Sequence, residues 1–450
     1  MQVFNTSRPE FNPYGDDEPV PSTEPGPWTA PNATGPLSSS LHLPGSKSLT
    51  NRQLVLSALA SGPSLLRSPL HSRDTNLMIE ALRNLGVTIE SVPGDGAFGP
   101  DLLITPGPLE GSTSIDCGLA GTVMRFVPPV AALALGPVVF DGDDAARKRP
   151  MRTTITALRQ LGVDVSDDGR GMLPFSLYGT GQVSGGEISI DASASSQFVS
   201  GLLLAAPRFA NGLILRHVGD ALPSIAHIGM TIATLAGRGV VVDSPEPGVW
   251  VVPHAEIAGH EVTIEPDLSN AAPFLAAALA VGGSVAIHDW PAETTQVGAE
   301  LVTILADMGG TSALLGDTLT VRGDGTVRGI VLDNASELAP TIAALAALGD
   351  TETVLTGIAH LRGHETDRLA ALATEINALG GDVTETADGL IIRPASLHGG
   401  VWHSYADHRM ATAGALIGLV VPGVEVDNIA TTAKTLPQFV ELWNAMLGRV

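Results

Sequence analysis

A two-part phrase recurs six times along this 450-residue chain and limits the fold more than any single motif. Its first part is a small-residue turn opening an Ala/Leu-rich helix. It begins near Gly45-Ser46-Lys47-Ser48, Asp116-Cys117-Gly118, Asp191-Ala192-Ser193, Glu265-Pro266-Asp267, Asp333-Asn334-Ala335 and His403-Ser404-Tyr405. Its second part is a helix ending in a Leu-Gly-Val-like stop. That helix is entered near Arg73-Asp74, Arg149-Pro150, Leu222-Pro223, Thr294-Thr295, Glu365-Thr366 and Lys434-Thr435. Successive copies start roughly 70 residues apart, the self-similarity to look for first in any sequence. Short β-rich runs such as Val87–Glu90, Leu102–Thr105 and Val138–Phe140 lie between the helices. Each unit therefore reads as strand-helix-strand-helix-strand-strand, and six of them predict a globular α/β array.

At ~100–200 residues per domain, the length suits two or three cores. Three units per domain is the natural division, with the second triplet starting near Glu265-Pro266-Asp267. Pro128, Pro129, Pro207 and Pro422 break the longest apolar stretches, so none approaches the ~18 residues that span a bilayer. The single cysteine rules out a disulfide framework and suits a reducing, cytoplasmic setting. The first 36 residues hold eight prolines and no periodicity, and residues 1–37 are expected to be a disordered extension. They show neither the basic start nor the apolar middle of a secretory signal. A dispensable tail, or a start set upstream of the true one, is the expectation.

Charge is lopsided: 47 acidic residues face 24 basic ones, a net −23 that repels nucleic acid. Yet the scarce cations gather. Lys47 and Arg52 flank one helix start, and Arg147, Lys148 and Arg149 precede another. Arg362, Arg368, Arg409 and Lys434 fall at equivalent entrances of other units. Helix N-termini attract anions, so cations added there would build a polyanion site. One such Arg alone would read as a solvated surface charge; the repeated placement favours the site.

Other signals carry less. Gly94-Asp95-Gly96-Ala97-Phe98-Gly99 spells a dinucleotide loop but precedes the strand-like Asp101–Thr105, so a hairpin turn is expected. Gly45-Ser46-Lys47-Ser48 lacks the upstream glycine of a nucleotide P-loop. Cys117 reads as a buried small residue. The twelve histidines show no metal-ligand spacing, so neither metal nor cofactor is expected.

The run Leu43–Arg52 resembles the first signature of the 3-phosphoshikimate 1-carboxyvinyltransferase (EPSP synthase) family, and Leu119–Arg125 resembles its second. Ser195-Ser196-Gln197, His364–Arg368, Asp407–Met410 and Ala433-Lys434-Thr435 look like the rest, in family order across residues 41 to 437. The resemblance implies a two-domain inside-out α/β barrel built from six βαβαββ repeats, three per domain. Residues 38–45 plus 266–450 would form one domain and 46–265 the other, with helix N-termini pointing into the cleft between them. It implies transfer of the enolpyruvyl group of phosphoenolpyruvate to the 5-hydroxyl of shikimate 3-phosphate, the penultimate step toward chorismate and the aromatic amino acids. A monomer acting on these two small molecules, without nucleic acid or membrane, is expected.

Carried over position by position, the family roles put Lys47, Ser48, Arg52, Ser195, Ser196, Gln197, Ser224, Glu337 and His364 on shikimate 3-phosphate. Lys47, Gly121, Arg149, Arg368, Arg409 and Lys434 would hold phosphoenolpyruvate. Arginine suits this because its planar fork grips phosphate and carboxylate in bidentate fashion. Glu337 would be the base on the hydroxyl, with Lys47 and Glu365 as proton donors or relays. The bland reading of Glu337 is a helix cap beside Asn334 and Ser336. Sensitivity to glyphosate is also implied, because Gly121 leaves the phosphoenolpyruvate pocket unfilled.

Some positions depart from the pattern. Glu337 stands where the family's base is usually Asp, and His364 where many members carry Lys. Leu119 and Phe126 replace the commoner Asn and Pro, and Ile225–Gly229 matches loosely. Two alternatives remain. UDP-N-acetylglucosamine enolpyruvyltransferase shares the repeat, but that family carries a reactive Cys before its Arg-Pro, and Asp143–Pro150 has none. A non-catalytic anion-binding repeat protein would avoid placing Glu337 and Glu365 among the cations.

Overall fold

A computed structural model describes residues 26–220 and 222–449. Among them, twelve α-helices alternate with twenty-two strands in six sheets. Every predicted helix entrance opens a helix. The Gly94–Gly99 stretch is the turn of a hairpin, joining Thr88–Val92 to the antiparallel Asp101–Thr105.

One helix of each unit is buried on nearly all sides, and most of these are apolar all round. Thirteen residues of Leu268–Val281 are buried, as are all nine of Ala339–Ala347. Lys47–Ala58, Gly121–Ala131 and Gln197–Ala205 pack against one another. Leu268–Val281, Ala339–Ala347 and His408–Gly418 form a second such trio. The partner helices are amphipathic. Arg73–Asn84, opened by a Ser72/Thr75 capping box, buries Met78, Ile79 and Leu82 but keeps Glu80 exposed. The strands lie outside, alternating in burial as in Phe175–Thr180. This is the inside-out arrangement expected from the sequence.

Two hydrophobic cores result. One runs from Leu54 to Ile257; the other joins Leu37, Leu41 and Leu43 to residues between Leu268 and Met446. The chain passes between them twice, and the first strands of two units are exchanged in the process. Leu37–Leu41 pairs in parallel with Gly283–Ile287, whereas Glu261–Thr263 pairs in parallel with Ser64–Arg67. The two passages run side by side, bridged at Gly45 and Pro266. Ser46 N–H donates to Glu265 (2.8 Å) and Asp267 N–H to Pro44 (2.9 Å). Gly45 is needed here, because a Cβ would collide with the Ser68 carbonyl oxygen.

The amino-terminal segment corrects an expectation. Residues 1–25 lie outside the described residues, but the disorder expected through residue 37 does not hold from Gly26 onward. Trp28–Thr29 forms a strand against Val424–Val426, and Ala30 is 2% exposed. Ala30 N–H donates to Val424 and Ala33 N–H to Leu419. The reason lies in the last unit, where among the described residues no strand pair follows the helix Phe439–Met446. Val424–Val426 would otherwise be an open edge, and Trp28–Thr29 covers it. No helix among the described residues is long and apolar enough to cross a membrane.

Candidate active site

The inner helices of both trios point their N-termini at one cleft, but the two walls are built differently. The N-termini of Gly121–Ala131 and Gln197–Ala205 have no side-chain cap and no acidic residue in the first turn. Their N–H groups and positive dipole ends are free for an anion. Opposite, Leu268–Val281, Arg368–Ala378 and His408–Gly418 are capped by the carboxylates of Asp267, Asp367 and Asp407. There the positive charge comes from side chains.

The cleft encloses about 100 Å³ and takes its lining from both walls. Ten of the residues expected to hold substrate or move protons meet in it. Lys47, Ser48, Gly121, Arg149 and Gln197 lie on one side, and Glu337, His364, Glu365, Arg368 and Arg409 on the other. Several cations are anchored by carboxylates. Lys47 Nζ lies 3.3 Å from the buried Asp74. Arg368 grips Asp407 through Nε (2.8 Å) and Nη2 (3.1 Å), and donates to Glu365 (3.1 Å). Lys434 pairs with Glu365, and Arg409 Nη1 donates to the Ser269 carbonyl (2.7 Å). Arg149 is freer: among the described residues its guanidinium makes one long bond, to Leu119 O (3.4 Å), and its buried Nε has no partner there. Gln197 Oε1 and His408 Nδ1 are likewise buried without partners. Buried polar atoms seldom go unpaired, so these mark where a ligand's polar groups would sit.

The carboxylates are held ionised. Burial alone would raise Glu337, but His227, Arg409 and the Ser336 hydroxyl outweigh it and hold it well below the usual range. Its Oε2 accepts from His227 Nε2 across the cleft (2.9 Å) and from Ser336 (3.0 Å); Oε1 accepts from Ser269 (3.1 Å). The capping explanation for Glu337 has no support, since the short 3₁₀ turn Ser336–Leu338 has no side-chain cap. Glu365 is similar: burial is overcome by Lys434, Arg368 and Arg149. Burial, reinforced by Arg368, pushes His364 well below its ordinary value, and burial with Arg409 and Lys47 does the same to His408.

Five expected residues lie off the cavity wall. Arg52 is 1% exposed, with Nε on Thr231 (2.8 Å), Nη1 on Ser48 O (2.9 Å) and Nη2 on His227 O (2.9 Å). No carboxylate touches it, and burial lowers its pKa to about 9. Ser195 accepts from Gln197 N–H (3.2 Å), and Ser196 lies buried at the helix start. Ser224, in a left-handed conformation, meets Ser336 across the cleft at 3.0 Å. Lys434, 4% exposed, reaches the site through Glu365. The sequence reading missed Asp74 as the partner of Lys47, and Ser269, His408 and above all His227. Only the loose match at Ile225–Gly229 touched the last of these.

Cys117 is fully buried and its thiol is pushed up to about 12, chiefly by burial. It is no nucleophile. Among the described residues no group of His, Cys, Asp and Glu could hold a metal ion.

Residues 31–443 match the family model described as EPSP synthase (3-phosphoshikimate 1-carboxyvinyltransferase). The chain is 58% identical over 429 residues to a protein of Kocuria rhizophila named 3-phosphoshikimate 1-carboxyvinyltransferase. That alignment covers 94% of this chain and 96% of the relative. Two solved structures of EPSP synthase from Acinetobacter baumannii superpose with TM-scores of 0.74 and 0.73. Each is 26% identical and covers 93% of this chain and 97% of its own.

Proposed function

Because the chain belongs to the EPSP synthase family, we propose that its cleft receives shikimate 3-phosphate at the open end of Gln197–Ala205 and phosphoenolpyruvate among Arg149, Arg368 and Arg409, beside the open end of Gly121–Ala131. The activity is that of a 3-phosphoshikimate 1-carboxyvinyltransferase, an enzyme of the shikimate pathway. The 5-hydroxyl of shikimate 3-phosphate adds to C2 of phosphoenolpyruvate while a proton enters at C3. The tetrahedral adduct then loses phosphate and a methyl proton, giving 5-enolpyruvylshikimate 3-phosphate.

One observation carries the assignment of residues: two ionised carboxylates, Glu337 and Glu365, sit in a cleft lined by Lys47, Arg149, Arg368 and Arg409. A pure anion binder would have no use for the carboxylates. Shikimate 3-phosphate takes Ser48, Ser195, Ser196 and Gln197, where the uncapped helix offers N–H groups, with Ser224 and His364 at the edge. Phosphoenolpyruvate takes Arg149, Arg368 and Arg409, beside Gly121. Lys47 stands between the two. Arg52 acts from behind the wall; the charge of a substrate anion would offset the burial that lowers it. Lys434 acts by orienting Glu365. Glu337 withdraws the hydroxyl proton, and Lys47 and Glu365 handle the proton at C3.

The two cores support a division into two lobes, 46–265 and 26–45 plus 266–449, the amino-terminal strand going with the second. Both walls of the cleft come from one chain, which supports a working monomer. A free, buried cysteine suits the cytoplasm as its compartment, and the net −23 argues against nucleic acid. A phosphate-release assay in excess EDTA, offering shikimate 3-phosphate or UDP-N-acetylglucosamine as acceptor, tests the reading. Turnover with the first alone is expected. Turnover with the second, or activity that only a divalent cation restores, would overturn it.

A further inference from the structure

The turn that delivers Arg409 is strained. Tyr405 and Ala406 sit consecutively in the left-handed region, at φ +55° and +54°. A Cβ disfavours that region, and two such residues in a row persist only when the surroundings hold them. The helix Arg368–Ala378 supplies the hold. At its first residue, Arg368 grips Asp407, just past the turn. Seven residues on, two helical turns later and on the same face, Glu375 grips the other end. Glu375 is 2% exposed, yet its carboxylate faces the surface segment 403–405. Its Oε1 accepts from the Tyr405 hydroxyl at 2.6 Å. Its Oε2 accepts from His403 N–H at 2.9 Å and lies 3.2 Å from His403 Nδ1. Tyr405 and His403 are themselves well exposed on their outer sides. Burial, then Glu375, pushes the Tyr405 phenol up to about 12, so it remains a proton donor at working pH.

We infer that Glu375 is a positioning residue for phosphoenolpyruvate: through Tyr405 and His403 it holds the strained turn that aims Arg409 into the cleft and fixes Asp407 against Arg368. This rests on the assignment of Arg368 and Arg409 to phosphoenolpyruvate. The shikimate 3-phosphate side is built mainly by residues 46–265, and its edge residue His364 meets this turn only indirectly, through Arg368. Loss of the grip therefore acts chiefly on phosphoenolpyruvate.

The test uses the full-length enzyme and five variants: Glu375→Gln, Tyr405→Phe, Ala406→Gly, Glu375→Gln with Ala406→Gly, and Arg409→Lys. Glu375→Gln is expected to raise KM for phosphoenolpyruvate roughly tenfold, within the ~10²-fold that an ångström of misplacement can cost. KM for shikimate 3-phosphate should stay within about twofold. Tyr405→Phe keeps the buried carboxylate and folds more safely; it should give a smaller shift with the same selectivity. The distinctive readout is rescue. Glycine adopts a positive φ without the Cβ penalty, so Ala406→Gly alone should be nearly silent yet recover at least half of the increase in the double variant. Equal rises for both substrates, a lowered Tm with unchanged KM values, or no rescue would each overturn the inference. Arg409→Lys separates the two levels of the argument. If it leaves KM for phosphoenolpyruvate unchanged, the binding assignment fails. If it raises that KM and Glu375→Gln does not, only the positioning role fails.

Discussion

Replacing Glu337 by glutamine removes one negative charge and almost no volume. The amide oxygen can still accept from Ser269, now 3.1 Å from Oε1, while the amide nitrogen faces Ser336 and His227. Both can turn to accept, the imidazole through its neutral tautomer. The fold therefore keeps three hydrogen bonds but loses the charge assistance of each, roughly 1 kcal/mol apiece, a loss of stability and not of rate. The chemistry loses its base. A positioned acid–base group is worth ~10²–10⁴ in rate, or about 2.7–5.4 kcal/mol of barrier at 1.36 kcal/mol per tenfold. We expect kcat for phosphate release to fall by that factor, with the Kd of shikimate 3-phosphate by calorimetry within about threefold. Stability and rate are read separately, so one variant distinguishes them. A Glu337→Gln enzyme with kcat within a few-fold of the parent would remove Glu337 from proton transfer and leave Lys47 or Glu365 to carry it.

Gly121→Ala places a Cβ 3.1 Å from Gln197 Oε1 and 3.4 Å from both terminal nitrogens of Arg149. Those side chains must yield by a few tenths of an ångström at the phosphoenolpyruvate pocket. The Ki for glyphosate, longer than phosphoenolpyruvate, should rise at least tenfold more than KM does; equal changes would refute the pocket assignment. Acid should weaken the fold in two stages. His364 and His408 are depressed, so their stabilisation is complete above the unfolded value of about 6.5 and is lost as pH falls below it. Glu337 and Glu365, also depressed, add a second loss below about 4.3. Scanning fluorimetry in steps of half a pH unit should show Tm falling from about pH 6.5 and more steeply below 4.5. A flat Tm from pH 7.5 to 5 would show that the histidines do not titrate in this way.

The sequence displayed the architecture because the forces behind it are local and repeated. An Ala/Leu-rich helix has to be covered, and six such entrances separated by strand pairs leave few arrangements. The cations were legible for the same reason, recurring at equivalent entrances. Longer-range facts were not. Nothing near Leu37–Leu41 or Glu261–Thr263 says that these strands exchange sheets, since pairing with partners 246 and 196 residues away leaves no local pattern. Trp28–Thr29 lies among prolines that read as disorder, and only the edge of Val424–Val426 explains why it is ordered. His227 stood alone in a weak match; its meaning comes from Glu337, 110 residues away. Arg52 was recognised by type and position, but its enclosure by Thr231 and His227 depends on the helix Ile225–Ala236, far along the chain.

The paired passages between the cores set the mechanics of the molecule. A single connecting strand would act as a swivel, leaving the lobes free to twist as well as bend. Two strands side by side, tied at Gly45 and Pro266, behave as a leaf hinge: rotation about the line joining them is soft, and torsion across it is stiff. Helices start immediately beyond both straps, at Lys47 and Leu268, and Lys47 N–H donates to Asp267 at 3.1 Å. Any opening of the cleft therefore swings Lys47 along a fixed arc. Closing along that arc would bring Lys47 back to the same seat, so registration between the two walls would not have to be found again.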